Sequence, residues 1–148
     1  MTDAPEHEIV DEHELPAFER LTIRMPNHDR DRSLGHLGAA WIEHFMRHGR
    51  GDKQGEPVRL DDVVYDLIVD MYALDQSGRR LYSECAAVLP KGSAKTDVAS
   101  FVVAFDVAGP SRFYGWVEGG EVCRQGTFEH EYVPGEPMAA VSQALRAA

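Results

Sequence analysis

Apolar residues recur at helical spacing in three stretches of the chain, and each stretch predicts an amphipathic helix. The first predicted helix covers about 33–48 with Ser33 as its N-cap, and the second covers about 61–74 with Asp61 as its N-cap. The third covers 95–108 and ends before a Gly-Pro pair. The three apolar stripes consist of Leu34, Leu37, Trp41 and Phe45; Val63, Val64, Leu67, Ile68 and Met71; and Val98, Phe101, Val102, Phe105 and Ala108.

The stretch before the third helix predicts a buried strand. Residues 83–89 read SECAAVL, polar at the start and apolar at the end, which is typical of a strand that enters a covered sheet. A glycine-bearing loop, 90–94, leads from this strand into the helix. Phosphate-binding loops occur in this order of strand, loop and helix. The pattern therefore predicts an α/β fold in which an incomplete parallel sheet is flanked by helices.

Residues 111–133 have a different pattern, rich in aromatic and β-branched residues. Two such runs, 113–117 and 122–132, are separated by Glu-Gly-Gly-Glu, and they predict a β-hairpin or meander. An alanine-rich tail follows to residue 148 and could form a short helix. We therefore divide the chain into an acidic tail with a connector (1–32), the start of an α/β domain (33–110), and a hairpin region with a divergent tail (111–148).

Charge is unevenly placed along the 148 residues, whose formal net charge is −10. Residues 1–14 contain six acidic residues and no Lys or Arg, so −6 of the total lies in this arm and −4 in the rest. We expect the arm to be solvated and disordered. The body has no basic surface of the kind that holds DNA through phosphate contacts, which argues against nucleic-acid binding by this chain unaided.

Composition also indicates in which compartment of the cell the protein is expected. No apolar run reaches the ~20 residues needed to span a bilayer, and the acidic start does not have the pattern of a secretory signal. The two cysteines, Cys85 and Cys123, match no metal or redox spacing and predict reduced thiols. We therefore expect a cytoplasmic protein without a membrane partner.

The loop before the third helix carries the candidate chemistry. The final Lys-Thr of the phosphate-loop pattern G-x-x-x-x-G-K-[ST] is present, but Leu89 and Ala94 stand where the two glycines belong. Lys95 would reach the β- and γ-phosphates of a nucleotide, and the Thr96 hydroxyl would ligate Mg²⁺. Ala94 can replace glycine only if its φ is negative. The candidate nucleotide-binding residues are Lys91, Gly92, Ser93, Ala94, Lys95 and Thr96. From the pattern alone, an ordinary strand–helix turn remains the alternative.

Longer strings around this loop resemble a known family. They read GDKQGEPVRLDD (51–62), GRRLY (78–82), PKGSAKTDVAS (90–100), GPSRFYGW (109–116) and YVPGEPM (132–138). In order and spacing, these strings resemble the front part of the large terminase subunits of actinobacterial tailed phages. The resemblance covers roughly residues 34–138.

This resemblance implies a function. Such subunits are DNA-packaging motors, in which an N-terminal ATPase domain drives DNA into the procapsid. It implies a partial P-loop NTPase fold, ATP and Mg²⁺ as ligands, and phage DNA, the small terminase subunit and the portal as partners. It also implies assembly with other terminase subunits in the cytoplasm of a bacterial host. Gln54 would lie on the adenine side of the site.

The resemblance also has gaps. Leu89 and Ser93 replace two arginines of the family's loop. The likeness stops after Met138, before the Walker B acids, the coupling motif and the nuclease domain. We therefore expect a truncated ATPase portion that binds ATP–Mg²⁺ but hydrolyses it poorly or not at all. A non-catalytic interaction module or gene remnant that docks on phage packaging components is the alternative.

Three other features could suggest function, but structural roles are expected for them. His44 and His48 are spaced i, i+4, as metal ligands on a helix would be, but no third ligand is evident and a solvated face is expected. Asp106 follows an apolar run, yet it lies inside the third predicted helix, so we interpret it as a surface carboxylate rather than a Walker B acid. Trp41 and Phe45 are expected to lie in the core rather than to stack on bases.

Overall fold

The computed structural model describes residues 28–88, 91–92 and 94–140. These residues form three helices and four short strands, a mixed α/β arrangement. The helices are α1 (Gly35–Phe45), α2 (Asp62–Met71) and α3 (Lys95–Ala108), and the strands are β1 (Phe113–Trp116), β2 (Glu121–Gln125), β3 (Phe128–Tyr132) and β4 (Pro137–Ala139). The expectations for the acidic arm (1–14) and for the tail 141–148 lie outside the described residues.

The three helices occur where apolar spacing predicts them, with differences at their ends. The prediction for α3, 95–108, is confirmed at both ends. Both α1 and α2 are shorter than predicted. Helix α1 ends at Phe45. Met46 and His48 lie in the following loop, where their backbones hydrogen-bond with residues 56–58. Asp61 caps α2 as predicted, because its side chain accepts a hydrogen bond from Val64 N–H at 2.8 Å.

Helices α1 and α2 pack closely because α1 has glycine at the crossing. A Cβ added at Gly35 would lie 2.4 Å from the Cα of Val69, so only glycine allows this approach of the two backbones. Ser33 joins the same helices, since its hydroxyl donates to Val69 C=O at 2.6 Å and accepts from Gly35 N–H at 2.9 Å. The prediction that Ser33 is the N-cap of α1 is wrong, because the helix begins at Gly35 and Leu34 occupies the N-cap position without a side-chain hydrogen bond.

Aromatic rings from all three helical segments meet in one core. Phe105 of α3 is fully buried and lies 5.7 Å from the Trp41 ring and 5.3 Å from the Tyr72 ring, centroid to centroid. The prediction that Trp41 belongs to the core is confirmed, whereas Phe45 is 38% exposed at the edge. The third helix is therefore fixed against α1 and the end of α2 by its inner face.

Both sheets are antiparallel, which corrects the predicted incomplete parallel sheet. Strand β1 pairs with β4, and β2 pairs with β3. The predicted strand 83–89 is not formed over 83–88, where the backbone has no strand assignment and every residue is exposed. A parallel strand needs at least one neighbouring strand to pair with and helices on both faces, and the described part of the chain supplies no strand that pairs with this stretch.

The predicted pairing of the runs 113–117 and 122–132 is wrong, and a hairpin forms within the second run instead. Its two strands both lie within 121–132 and are joined by the two-residue turn Gly126–Thr127, with Gly126 at φ 61°. Strand β1 pairs instead with β4, near the end of the described chain. Gln125 ties the hairpin to the helices: its amide oxygen accepts from Trp41 Nε1–H at 3.0 Å, and its amide nitrogen donates to Ala108 C=O at 2.7 Å.

None of the helices in the described ranges combines the length and apolar character needed to cross a membrane. The two cysteines, Cys85 and Cys123, are free thiols, the first exposed and the second buried.

Candidate phosphate-binding loop

The loop before α3 turns sharply through two left-handed residues. Gly92 has φ 89°, and Ala94, the N-cap of the helix, has φ 52° and ψ 30°. The condition under which Ala94 could take the place of the loop glycine, a negative φ, is therefore not met. Because its Cβ crowds the backbone in this conformation, Ala94 bears a local strain of about 1–2 kcal/mol.

The turn places the candidate cations and hydroxyl at one exposed end of α3. Lys91, Lys95 and Thr96 are all exposed, and Lys95 and Thr96 lie in the first helical turn. The first backbone hydrogen bond of the helix runs from Val98 N–H to Ala94 C=O at 3.0 Å, and the Ala94 side chain cannot cap the earlier amides. Amides at the start of a helix are the donors that phosphate-binding helices use.

Local charge at this end is only modestly positive. Among the described residues at this end, the charged side chains are those of Lys91, Lys95 and the first-turn acid Asp97. Asp97 favours the helix through its interaction with the macrodipole, but it would repel a bound phosphate. A phosphate at this end would therefore receive less electrostatic support than at a loop that also carries arginines.

Two other predicted site residues, Ser93 and Gln54, are not seen next to Lys95 and Thr96. Ser93 lies outside the described residues. Gln54 is exposed in the loop 47–57 that joins α1 to α2, and its backbone N–H donates to Gly51 C=O at 3.1 Å. It belongs to a different element from Lys95 and Thr96, and its proposed role towards an adenine ring stays a prediction.

Models of protein families, curated proteins and solved structures were compared with this chain, and none matches it. The functional assignment therefore depends on the resemblance of the strings given above and on the geometry of the loop itself.

A polar cluster that the sequence did not indicate lies near the opposite end of α3. The Arg80 guanidinium lies 3.9 Å from the Tyr72 ring centroid and 3.3 Å from a carboxylate oxygen of Asp106. Asp106 is thus a half-exposed surface carboxylate in an ion pair, in line with its interpretation from the sequence. Burial raises the pKa of the Tyr72 hydroxyl, and Asp106 raises it further, although the two are not oriented for a hydrogen bond.

A second cluster joins the start of the described chain to α2. The His28 imidazole is buried between Asp70, 3.1 Å away, and the Tyr82 hydroxyl, 3.4 Å away. Arg30 lies 3.5 Å from the same Asp70 carboxylate oxygen and donates to Asp66. These partners are separated by 36 to 54 residues in the chain, so no spacing rule could have found them.

The two histidines considered for metal binding do not share a helix face. His44 lies on α1 and is 3.2 Å from the Thr127 hydroxyl, whereas His48 lies beyond the end of α1 and its backbone N–H donates to Glu56 C=O. Within the described ranges, no three His, Cys, Asp or Glu side chains are grouped as metal ligands would be.

Proposed function

We propose that this chain carries the phosphate-binding part of an ATPase domain of the large terminase subunit type, the DNA-packaging motor of tailed phages. One observation supports this most directly: Lys95 and Thr96 lie in the exposed first turn of a 14-residue helix. In this proposal Lys95 stabilises the negative charge of the β- and γ-phosphates of ATP. The Thr96 hydroxyl would hold Mg²⁺, which neutralises phosphate charge.

The proposal includes a partial P-loop NTPase fold. The stretch 83–89 would become a parallel strand once neighbouring strands are available on either side. Its exposure in the described chain, together with its apolar end at Val88, 79% exposed, supports this idea because such a stretch is unfavourable in water. Strand formation would also fix the loop that follows it, and with it the position of Lys91.

Hydrolysis is expected to be poor for this polypeptide. The resemblance assigns none of its residues to the water-activating acid or to the acid that supports the metal. Asp106, the carboxylate that follows an apolar run, is engaged by Arg80 near the carboxyl end of α3, whereas Lys95 begins that helix. Nucleotide binding without turnover is therefore the activity to test.

Isothermal titration with ATPγS and Mg²⁺ tests the proposal, comparing the wild-type protein with Lys95→Ala. Charge-assisted hydrogen bonds contribute about 1.5–3 kcal/mol, so the affinity should fall by roughly 10- to 100-fold in this variant. Arg124→Ala is the control, since it removes one exposed positive charge from β2, on the hairpin. Equal loss in both variants would show only nonspecific attraction of the anion, and absence of binding by the wild type would reject the site.

A second function, an interaction module, is favoured by the segment 83–88. Its residues are exposed and belong to no helix or strand, and a segment of this kind can pair with a strand from a partner. Binding to a portal or small terminase subunit that is unaffected by ATPγS, and that is lost on Ala86→Pro, would support this function. Because position 86 is exposed and outside the helices and strands, this proline removes an amide donor without disturbing the core.

A further inference from the structure

A row of three rings lines the inner face of the hairpin that β2 and β3 form. Along β3, Phe128 and Tyr132 are buried and His130 lies between them, partly buried, whereas Glu129 and Glu131 alternate with them on the exposed face. The His130 ring is stacked on the Phe128 ring at 6.3 Å and meets the Tyr132 ring edge-on at 5.0 Å, centroid to centroid. A titratable side chain therefore occupies the middle of an otherwise aromatic row.

The hairpin contacts α1 through rings and side-chain hydrogen bonds. The Phe128 ring lies 5.5 Å from the His44 ring, centroid to centroid, and His44 Nε2 is 3.2 Å from the Thr127 hydroxyl. Further along α1, Trp41 Nε1–H donates to the Gln125 side chain at 3.0 Å. These contacts act only at short range, so they are lost together when the hairpin moves away from α1.

The surroundings of His130 disfavour a positive charge. Neither of its ring nitrogens forms a hydrogen bond with another of the described residues. Burial lowers the pKa of its imidazole; the Glu136 carboxylate, ahead of β4, raises this pKa, and His36 of α1 lowers it. Two further titratable groups face it, the Cys123 thiol directly across the hairpin and the Tyr132 hydroxyl on its own strand. Burial is the largest of these effects, so the closed hairpin favours the neutral imidazole.

We propose that His130 is an acid-sensitive latch, whose protonation releases the hairpin 121–132 from α1 while the three helices stay packed. A charged imidazole is better hydrated outside the aromatic row than inside it, so uptake of a proton favours the released hairpin. The helices have contacts of their own, because the Phe105 ring packs against Trp41 and Tyr72. This inference is independent of the proposed phosphate site.

Labelling of the Cys123 thiol in the full chain measures the release. This thiol is 2% exposed and lies on β2 opposite His130, so separation of the hairpin makes it accessible. The exposed Cys85 is replaced by serine, so that Cys123 is the only thiol of the sequence. The reagent is dithiodipyridine, which reacts with thiols at acidic pH. Each rate is divided by the rate of the same protein unfolded in urea at the same pH, which cancels the chemistry of the thiol itself.

The normalised rate should rise by about tenfold between pH 7.5 and 5.5, within the limit of roughly 100-fold that one proton sets over two pH units. His130→Gln keeps a polar side chain that takes up no proton, and it should abolish the rise. His48→Gln is the matched control, because His48 lies in the loop beyond α1, and it should retain the rise. His130→Lys is charged at both pH values and should already label rapidly at pH 7.5. An equal rise in the parent and in His130→Gln would overturn the proposal, as would no rise in the parent.

The dependence of labelling on low concentrations of urea separates release of the hairpin from unfolding of the whole fold. This slope scales with the surface that opening exposes, so release of the hairpin alone should have a smaller slope than unfolding followed by circular dichroism. If the two slopes are equal at pH 5.5, the hairpin opens only when the helices unfold, and the latch is rejected.

Discussion

Replacing Ala94 by glycine should stabilise the protein, although most glycine substitutions destabilise. Ala94 caps the start of α3 with φ 52° and ψ 30°, a left-handed conformation that L-residues other than glycine, Asn and Asp rarely adopt. The residue is exposed, so its methyl group contributes little packing that glycine would lose. The substitution therefore isolates the effect of backbone strain.

The magnitude follows from three effects. Relief of the left-handed strain favours Ala94→Gly by about 1–2 kcal/mol, and glycine is also the better N-cap by several tenths of a kcal/mol. The greater freedom of glycine in the unfolded chain opposes both by about 0.4–1 kcal/mol. The net free energy of unfolding should thus rise by about 1 kcal/mol, which raises the thermal midpoint by roughly 2–4 °C in a chain of this size.

Thermal and urea unfolding followed by circular dichroism would measure this change. Ala99→Gly provides the matched control, because Ala99 is equally exposed but lies inside α3, where glycine costs about 1 kcal/mol relative to alanine. The two variants have the same change in composition and opposite expected signs. If Ala94→Gly lowers the midpoint as much as Ala99→Gly does, the left-handed cap is not present in solution and the argument about the loop fails.

Three further outcomes follow from the contacts. Gly35→Ala should lower the free energy of unfolding by more than about 3 kcal/mol, because its Cβ would lie 2.4 Å from the α2 backbone. Gly38→Ala should lower it less, because its Cβ would meet only the Phe105 ring, at 3.0 Å. The urea midpoints of the two variants test this order. Burial lowers the pKa of His130 below its ordinary 6.5. As the pH falls, the unfolded state therefore binds a proton at this residue before the folded state does, and the free energy of unfolding should decrease below about pH 6.5. His130→Gln should make the thermal midpoint less dependent on pH between pH 8 and 5. Asp61→Ala removes the cap of α2 and should cost about 1 kcal/mol, while Asp61→Asn should retain most of the stability by the same measurement.

The parts of the fold that depend on local signals could be predicted from the sequence. Helix α3 has apolar residues at regular spacing and a Gly-Pro stop, and both of its ends are confirmed. The capping role of Asp61 is also local, since its partner is three residues away. The predicted end of α1 lies too far along the chain, because the helical spacing of polar and apolar residues continues through Met46 and His48. In the structure these residues instead form backbone hydrogen bonds with residues 56–58.

Pairing between distant strands could not be predicted in this way. The glycines at 119 and 120 look like a hairpin turn, yet Phe113–Trp116 pairs with Pro137–Ala139, more than 20 residues away. The actual turn has its own signal, a single glycine followed by threonine between two alternating runs, which is a recognised two-residue hairpin pattern. The Gly-Gly pair at 119–120 is the stronger turn signal, so the sequence favours the wrong turn.

The exposed stretch 83–88 and the exposed apolar residues of α3, namely Ala99, Val103 and Val107, have a common physical origin. Both have the composition of buried elements, the first of a covered parallel strand and the second of a helix enclosed on all sides. The sequence pattern records this burial preference at each position, but only neighbouring elements can satisfy it. The inner face of α3 finds its neighbours in α1 and Tyr72, so the prediction there succeeds. The predicted strand finds no neighbour among the described residues, and an isolated strand cannot hydrogen-bond to itself, so residues 83–88 form no strand. Local pattern therefore predicts which residues favour burial, and the presence of a partner decides whether the predicted element forms.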